Sequence, residues 1–220
     1  MTTPRRVRPR RLAALPPVAL ALALLPPPGA HALEEGAGEK KALDACDRRL
    51  CAMLVEKNPR GEDLKCSLTK TWAKATIKSA ETHTTKWGFG DARCTVQLNI
   101  PRAELIAALS SPEYKLKAPP HTVDCLIEEE GAAKPIKATL APKIEFKNGK
   151  AEKVRINLQK IDGPFAITGV LSAAATLEDR IGLFHRSMVK SVNRYIEKHC
   201  VNLLATAGKD GAGKDAAAKR

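Results

Sequence analysis

Apolar residues recur along this chain with two different spacings, and each spacing predicts one type of element. In residues 41–57 they return at steps of three and four, which predicts an amphipathic helix that Asn58-Pro59-Arg60-Gly61 ends. A shorter helix is predicted for residues 101–109, because proline is tolerated in a first helical turn. A long helix is predicted from about Leu177 or Arg180 to Cys200. Its apolar stripe consists of Phe184, Met188, Val192, Tyr195 and Ile196.

Strict alternation of apolar and polar residues predicts strands in other segments. Residues 92–100 and 121–129 alternate throughout, which indicates one buried and one wet face for each strand. Residues 165–171 are predicted to form a further strand. Residues 69–82 are ambiguous: Trp72, Ala75, Ser79 and Ala80 suit a helix face, whereas the threonines at 69, 71 and 76 suit a strand, and we favour a helix.

Residues 135–160 are predicted to form a hairpin around Asn148-Gly149, with apolar residues at even positions on both arms. A two-residue loop would pair even with odd positions and place the two apolar sets on opposite faces. A three-residue loop over residues 147–149, with Gly149 left-handed, pairs even with even positions. We therefore predict this bulged turn, with Leu140 opposite Ile156. The outer face would present the basic residues Lys137, Lys143, Lys153 and Arg155.

Together these elements predict an α+β fold. Its centre is a mainly antiparallel sheet of about four or five strands, covered on one face by helices that include the long C-terminal helix. Residues 33–40 are predicted to be flexible, residues 41–205 to form a single α+β domain, and residues 206–220 to be a disordered tail rich in Gly, Ala, Lys and Asp.

Residues 1–32 have the composition of a signal peptide. Five arginines and no acid precede an apolar run over residues 12–25, and Ala30-His31-Ala32 supplies a small-x-small exit. Fourteen helical residues reach roughly 21 Å, short of a hydrocarbon core of about 30 Å. We expect cleavage after Ala32 and a periplasmic or secreted protein without a transmembrane anchor. The pairs Arg5-Arg6 and Arg10-Arg11 leave the twin-arginine export route open.

Residues 33–220 carry 32 basic and 24 acidic side chains, a net charge of +8. This charge favours contact with an anionic envelope lipid or an acidic protein. Nucleic acid is not an expected partner, because no stacking aromatic residues interleave the basic ones.

The six cysteines all follow residue 32, and an even number in an oxidising compartment predicts disulfides. They are Cys46, Cys51, Cys66, Cys94, Cys125 and Cys200. No C-x2-C pair indicates a zinc site. Cys46 and Cys51 share a predicted helix and lie about 140° apart around it, so they need different partners. Fifteen pairings are open. We favour Cys94 with Cys125, one of Cys46 and Cys51 with Cys66, and the other with Cys200.

Two sequence stretches carry a resemblance. Trp87-Gly88-Phe89-Gly90-Asp91-Ala92-Arg93-Cys94 and Leu140-Ala141-Pro142-Lys143 resemble small exported bacterial proteins of unassigned function, over roughly Cys66 to Cys200. That resemblance implies no activity. The element order, a hairpin followed by an amphipathic helix, also loosely resembles tubular lipid-binding proteins, in which a twisted sheet wraps a long helix around an apolar groove. The aromatic residues Trp87 and Phe89 are expected to pack over the end of the core rather than to contact a ligand.

One surface of the last predicted helix is a candidate binding site. Arg186, Lys190, Arg194 and Lys198 follow one another at four-residue steps and form a cationic ridge. This ridge is a possible contact for an anionic surface, and the alternative is an ordinary solvated face.

The sequence contains no recognisable catalytic motif. No nucleophile elbow, zinc-protease helix, phosphate loop or dinucleotide loop occurs, and the histidines after residue 32 lack metal-ligand spacing. We therefore expect no enzyme, metal or cofactor. The leading hypothesis is an exported, non-enzymatic periplasmic or envelope protein that binds a partner or an envelope component. The alternative is a carrier that holds a lipid or other apolar ligand between the C-terminal helix and the sheet; an unrecognised hydrolase is the third class.

Overall fold

The computed structural model describes residues 33–79, 86–182 and 185–206, so the predicted signal peptide and most of the predicted tail lie outside the described residues. The helices are α1 (Glu39–Glu56), α2 (Lys74–Ser79), α3 (Arg102–Ser110), α4 (Phe165–Ile181) and α5 (His185–Arg194). The strands are β1 (Leu64–Trp72), β2 (Ala92–Ile100), β3 (Glu113–Lys117), β4 (His121–Glu129), β5 (Ala132–Leu140), β6 (Lys143–Lys147), β7 (Lys150–Arg155) and β8 (Leu158–Asp162).

The predicted α+β class is confirmed, with a five-stranded antiparallel sheet in the order β1-β2-β4-β5-β8. Strands β2 and β4 have the bounds that their alternation predicts. Pairing places Val96 opposite Val123 on the apolar face, and Thr95 opposite Asp124 on the wet face. On the wet face the hydroxyls of Thr69 and Thr95 are 2.9 Å apart.

The helix favoured for residues 69–82 is wrong for its first part. Residues Leu64 to Trp72 form strand β1, which pairs with β2 along nine residues. The apolar residues Leu64, Cys66 and Leu68 alternate ahead of the segment that fitted both spacings. This alternation favours a strand before the helical spacing begins. Among the described residues the predicted helix is present only as the six residues of α2, and residues 80–82 lie outside the described residues.

The predicted hairpin over residues 135–160 is split between two sheets. Strand β5 stays in the large sheet, whereas β6 and β7 join β3 in a second sheet of order β3-β6-β7. The change of sheet occurs at Ala141, whose N–H donates to the Asn157 carbonyl at 3.1 Å. Leu140 consequently pairs with His121 and Leu158, and not with Ile156. The basic residues predicted for one outer face therefore belong to two sheets.

The predicted three-residue loop is also wrong. Asn148 and Gly149, with φ of 49° and 74°, form a two-residue turn, and Lys147 pairs with Lys150. A bulge in β7 then shifts the register, so that Phe146 faces Ala151 but Ile144 faces Val154. Even and odd apolar residues thus reach the same buried face, because one extra residue in a strand reverses its alternation.

The end of the chain contains two helices where one was predicted. Residues 165–171, predicted as a strand, begin α4, which ends at Gly182 in a left-handed cap with φ of 64°. The alanine-rich residues that follow Leu171 favour a helix and extend it back to Phe165. We call residues 185–206 the C-terminal helix; it comprises α5, a π-helical turn at Tyr195–His199 and residues 200–206. Phe184 lies outside the described residues.

Three disulfides join the elements, with the favoured pairing. Cys46 binds Cys66 on β1, Cys51 binds Cys200 on the C-terminal helix, and Cys94 binds Cys125 across β2 and β4. The two cysteines of α1 thus have different partners, as their angular separation predicts. Three disulfides fit a protein of an oxidising compartment. Among the described residues, no helix combines the length and apolar character needed to cross a membrane.

Candidate functional site

An apolar cavity of about 440 Å³ lies between the two sheets and the helices that cover them. Its walls come from five parts of the chain: the apolar face of β2, β4 and β5; the inner face of β3 and β6; α3 with the residue before it; α1; and the C-terminal helix. The lining includes Leu50, Leu54, Val96, Leu98, Ile100, Leu105, Leu116, Val123, Leu140, Ile144, Phe146, Val192 and Ile196. Almost all of this lining is aliphatic or aromatic carbon.

The cavity exists because the large sheet opens where two of its strands separate. Strands β2 and β4 pair from Ala92 to Val96 on the β2 side, and β2 then continues paired only with β1. Leu98 and Ile100 follow the point of separation and face the gap. The C-terminal helix and the second sheet cover this gap without filling it.

His121, the first residue of β4, lies where the strands separate. Its exposed fraction is 9%, and its ring lines the cavity. The Asn99 N–H on β2 donates to His121 Nε2 at 3.1 Å. The imidazole therefore replaces a backbone acceptor that strand pairing would have supplied, and it stabilises the opened end of the sheet.

The cavity meets solvent beside two charged residues. Glu104 on α3 and Lys117 on β3 belong to the lining, and both are exposed. The Tyr114 hydroxyl donates a hydrogen bond to the Glu104 carboxylate. That hydrogen bond, together with burial and the carboxylate charge, raises the pKa of Tyr114. We call the region around Glu104 and Lys117 the cavity mouth.

The C-terminal helix is fastened at the wall of the cavity. The Tyr195 hydroxyl donates to Asp47 Oδ1 on α1 at 2.5 Å, and His199 Nε2 lies 2.8 Å from Asp47 Oδ2. Burial, and then the hydrogen bond to Asp47 and its charge, raise the pKa of Tyr195. The adjacent Cys51–Cys200 disulfide binds the same two helices covalently. These contacts make the helix a fixed wall of the cavity.

A second attachment joins the C-terminal helix to strand β7. The Asn193 side chain accepts from the Ala151 N–H at 2.8 Å and donates to the Ala151 carbonyl at 2.9 Å. One amide thereby satisfies both backbone groups of an edge-strand residue, as a neighbouring strand would.

One group of potential metal ligands occurs in this region. Atoms of Asp47, Cys51 and His199 lie within 4.8 Å of one another. The Cys51 sulfur is bonded to Cys200, so it offers no thiolate, and the group has two available ligands. The carboxylate instead serves Tyr195 and His199 as a structural acceptor.

The predicted cationic ridge lies on the solvent side of the C-terminal helix, away from the cavity lining. Arg186, Lys190, Arg194 and Lys198 are all exposed. Glu197 of the same helix pairs with Lys150 on β7 at 2.9 Å. The structure therefore places the ridge on the surface and the predicted apolar stripe, at Val192, Tyr195 and Ile196, on the cavity wall.

Helix α4 also exposes apolar side chains. Phe165 is 88% exposed, and Val170 and Leu177 are 45% and 42% exposed. Of the helix side chains whose burial is described, Ile167 and Glu178 are buried, and Ile167 packs against Ile127 and Ile136 of the large sheet. Single exposed apolar side chains of this kind are ordinary on a protein surface.

The aromatic stretch before β2 packs as the sequence predicts. Trp87 and Phe89 make an edge-to-face contact with ring centroids 5.1 Å apart, over the end of the core that contains Ala92 and Ile127. A Cβ at Gly90 would lie 2.5 Å from a Glu128 carboxylate oxygen, so glycine permits this close approach. These residues support the fold and lie outside the cavity lining.

Sequence reasoning predicted most of the elements that line the cavity, and its alternative hypothesis placed an apolar ligand between the C-terminal helix and the sheet. Strand β3 was missed, although Tyr114 and Leu116 alternate with charged residues, a signal that would have revealed it. In the sequence, His121 is one of the histidines that lack metal-ligand spacing. Its place at the start of a predicted strand carried no sign that its ring would face an apolar space.

No protein-family model matches this chain, and neither a curated protein nor a solved structure matches it. The two resemblances seen in the sequence stay predictions, and the geometry of the cavity is the basis for assigning a function.

Proposed function

We propose that this protein is an exported, non-enzymatic carrier that binds an apolar ligand in the cavity between its two sheets and its C-terminal helix. The single observation that carries the proposal is the carbon-lined space of about 440 Å³. Small-molecule sites commonly have volumes of about 300–1,000 Å³ and are lined mostly by apolar side chains with few polar groups. The three disulfides support export to an oxidising compartment, for which we propose the periplasm or the extracellular space.

The size of the cavity supports a ligand of moderate length. A cavity of about 150 Å³ takes a six-carbon ring. A volume of 440 Å³ scales to about 18 non-hydrogen atoms, as in a lipid chain or a fused-ring hydrocarbon.

The apolar lining supports the same function energetically. The cavity opens to solvent at its mouth, so its carbon lining is accessible to water when no ligand is bound. An apolar occupant removes that surface from water, which contributes about 25 cal/mol per Å². A bound ligand is therefore expected to stabilise the fold measurably.

Native mass spectrometry of the protein purified from its host tests the proposal first, followed by titration with a fluorescent apolar probe. Val123→Phe places an aromatic ring in the cavity. Leu126→Phe, on the opposite face of the same strand, is the matched control. We expect co-purified ligand, probe binding by the parent protein, a loss of at least about tenfold in Val123→Phe, and no loss in Leu126→Phe. A bare mass together with absent probe binding would refute the carrier.

The cationic ridge supports a second proposal, docking on an anionic membrane surface. The ridge carries four exposed positive side chains, and each basic residue near an anionic surface contributes about 1 kcal/mol. Vesicles with and without anionic lipid test it. The double variant Lys190→Glu with Arg194→Glu should lose binding, whereas Lys143→Glu with Lys153→Glu, which makes the same change in net charge, should retain it. Equal losses in both variants would show that total charge, and not the ridge, drives binding.

A further inference from the structure

We infer that His121 donates a hydrogen bond into the cavity, so the preferred ligand carries an uncharged carbonyl oxygen on its apolar body. This inference rests on the proposed carrier function and narrows its ligand class to neutral carbonyl compounds such as acyl esters or long-chain ketones.

The proton position in His121 follows from its partner. A backbone N–H can only donate, so Nε2, which receives the Asn99 N–H at 3.1 Å, is unprotonated. In a neutral imidazole the proton is then on Nδ1, which makes Nδ1 a donor. The bond to Asn99 thus fixes both the tautomer and the orientation of the ring.

The second nitrogen is available to a ligand. Within the described residues Nδ1 has no hydrogen-bond partner, and it is not fully enclosed by protein. The side chain itself is more than nine-tenths buried and belongs to the cavity lining. Because Nδ1 is accessible and its N–H donates to no protein group, a carbonyl oxygen in the cavity can accept its hydrogen bond.

The other polar side chains of the lining have different surroundings. The Tyr195 hydroxyl donates to Asp47, and Glu104 and Lys117 are exposed at the cavity mouth. His121 is the one buried polar side chain of the described lining, which also contains Val123, Leu98 and Leu140. A carboxylate there would have to bury its charge, so an uncharged oxygen acceptor is favoured.

The test compares two ligands of equal length, a long-chain methyl ketone and the corresponding alkane, by displacement of a fluorescent apolar probe. In the parent protein the ketone should bind about 3- to 10-fold more tightly, the range for one hydrogen bond. In His121→Phe, which retains a planar ring but has no donor, this preference should disappear while alkane binding persists. Alkane binding also shows that the variant has folded with its cavity.

A second measurement uses the parent protein alone. The Nδ1–H proton of His121, observed by NMR with labelled histidine, should shift on addition of the ketone and not on addition of the alkane. If neither ligand displaces the probe, the carrier proposal itself fails. If both bind equally, or if the preference survives in His121→Phe, the cavity binds apolar ligands but the role of His121 is refuted.

Discussion

Removal of the Cys51–Cys200 disulfide should destabilise the protein more than removal of either other bridge. The change is the double substitution Cys51→Ala with Cys200→Ala, compared with the corresponding double substitutions at the other two disulfides. All three variants lose the same atoms, so their differences report the position of the bridge.

The expected magnitudes follow from the loops that the bridges close. Cys51 and Cys200 are 149 residues apart, whereas the separations of the other pairs are 20 and 31 residues. Loop-closure entropy then assigns about 5 kcal/mol to the long loop and about 3 to 4 kcal/mol to each short loop. Both cysteines of the long loop are fully buried, so any void left by alanine adds to the cost.

Urea unfolding, followed by tryptophan fluorescence, measures the three free energies of unfolding. The same variants should be titrated with the apolar probe, because the C-terminal helix that Cys200 anchors forms one cavity wall. We expect the long-loop variant to lose the most stability and to bind the probe most weakly. The reasoning would be refuted if the Cys46–Cys66 variant lost more stability, or if probe binding were unaffected by release of the helix.

Four further substitutions test positions outside the cavity. Burial raises the pKa of Glu39, but hydrogen bonds from Gly36 and Thr71 and the charge of Arg93 lower it overall from 4.5. The ionised Glu39 therefore stabilises the folded protein above pH 4.5. This stabilisation is lost as the pH falls through the lowered pKa. Glu39→Gln should therefore cost about 1–3 kcal/mol at pH 7 and progressively less in acid, as measured by urea unfolding against pH; a pH-independent cost would contradict the assignment. Gly149→Ala forces a Cβ to 2.7 Å from the Leu109 carbonyl oxygen at φ of +74° and should cost about 1–3 kcal/mol, whereas Gly169→Ala, with open space around it, should stabilise helix α4 by about 0.5–1 kcal/mol in the same thermal unfolding assay. Asn193→Ala removes both hydrogen bonds to Ala151 and should cost about 1–3 kcal/mol and accelerate amide exchange at Ala151, and unchanged exchange would argue against that attachment.

Local patterns predicted the elements whose periodicity is uninterrupted. The alternation from Ala92 to Ile100 and the three- and four-residue steps within α1 each had one interpretation, and both elements formed. The angular separation of Cys46 and Cys51 similarly required two different partners, which they have. In each case the sequence pattern involves residues close together in the chain, so local chain geometry alone was enough to predict the element or the pairing.

The errors lie where distant contacts decide between local alternatives. The segment after Pro164 is short and apolar and contains β-branched residues, as in a strand, but the alanine-rich residues beyond it extend α4 back to Phe165. The two arms of the predicted hairpin have apolar residues at even positions, as pairing in one sheet would require. The chain nevertheless changes sheet at Ala141, and a bulge in β7 shifts the register of its pairing with β6. A β-bulge leaves no periodic signal, because it interrupts the periodicity by which strands are recognised.

The sequence by itself determined the apolar face of each strand, the even cysteine count, and the amphipathic helix that closes the chain. These properties depend on side chains a few residues apart. Only the tertiary structure decided that the apolar faces would stand apart and border a cavity of about 440 Å³ that opens to solvent, with His121 buried in its wall. The periodicity of the sequence indicates which side chains are buried, but it does not determine how far apart two apolar faces lie. That distance is set by the second sheet, by the fastening of the C-terminal helix, and by the point at which β2 and β4 separate.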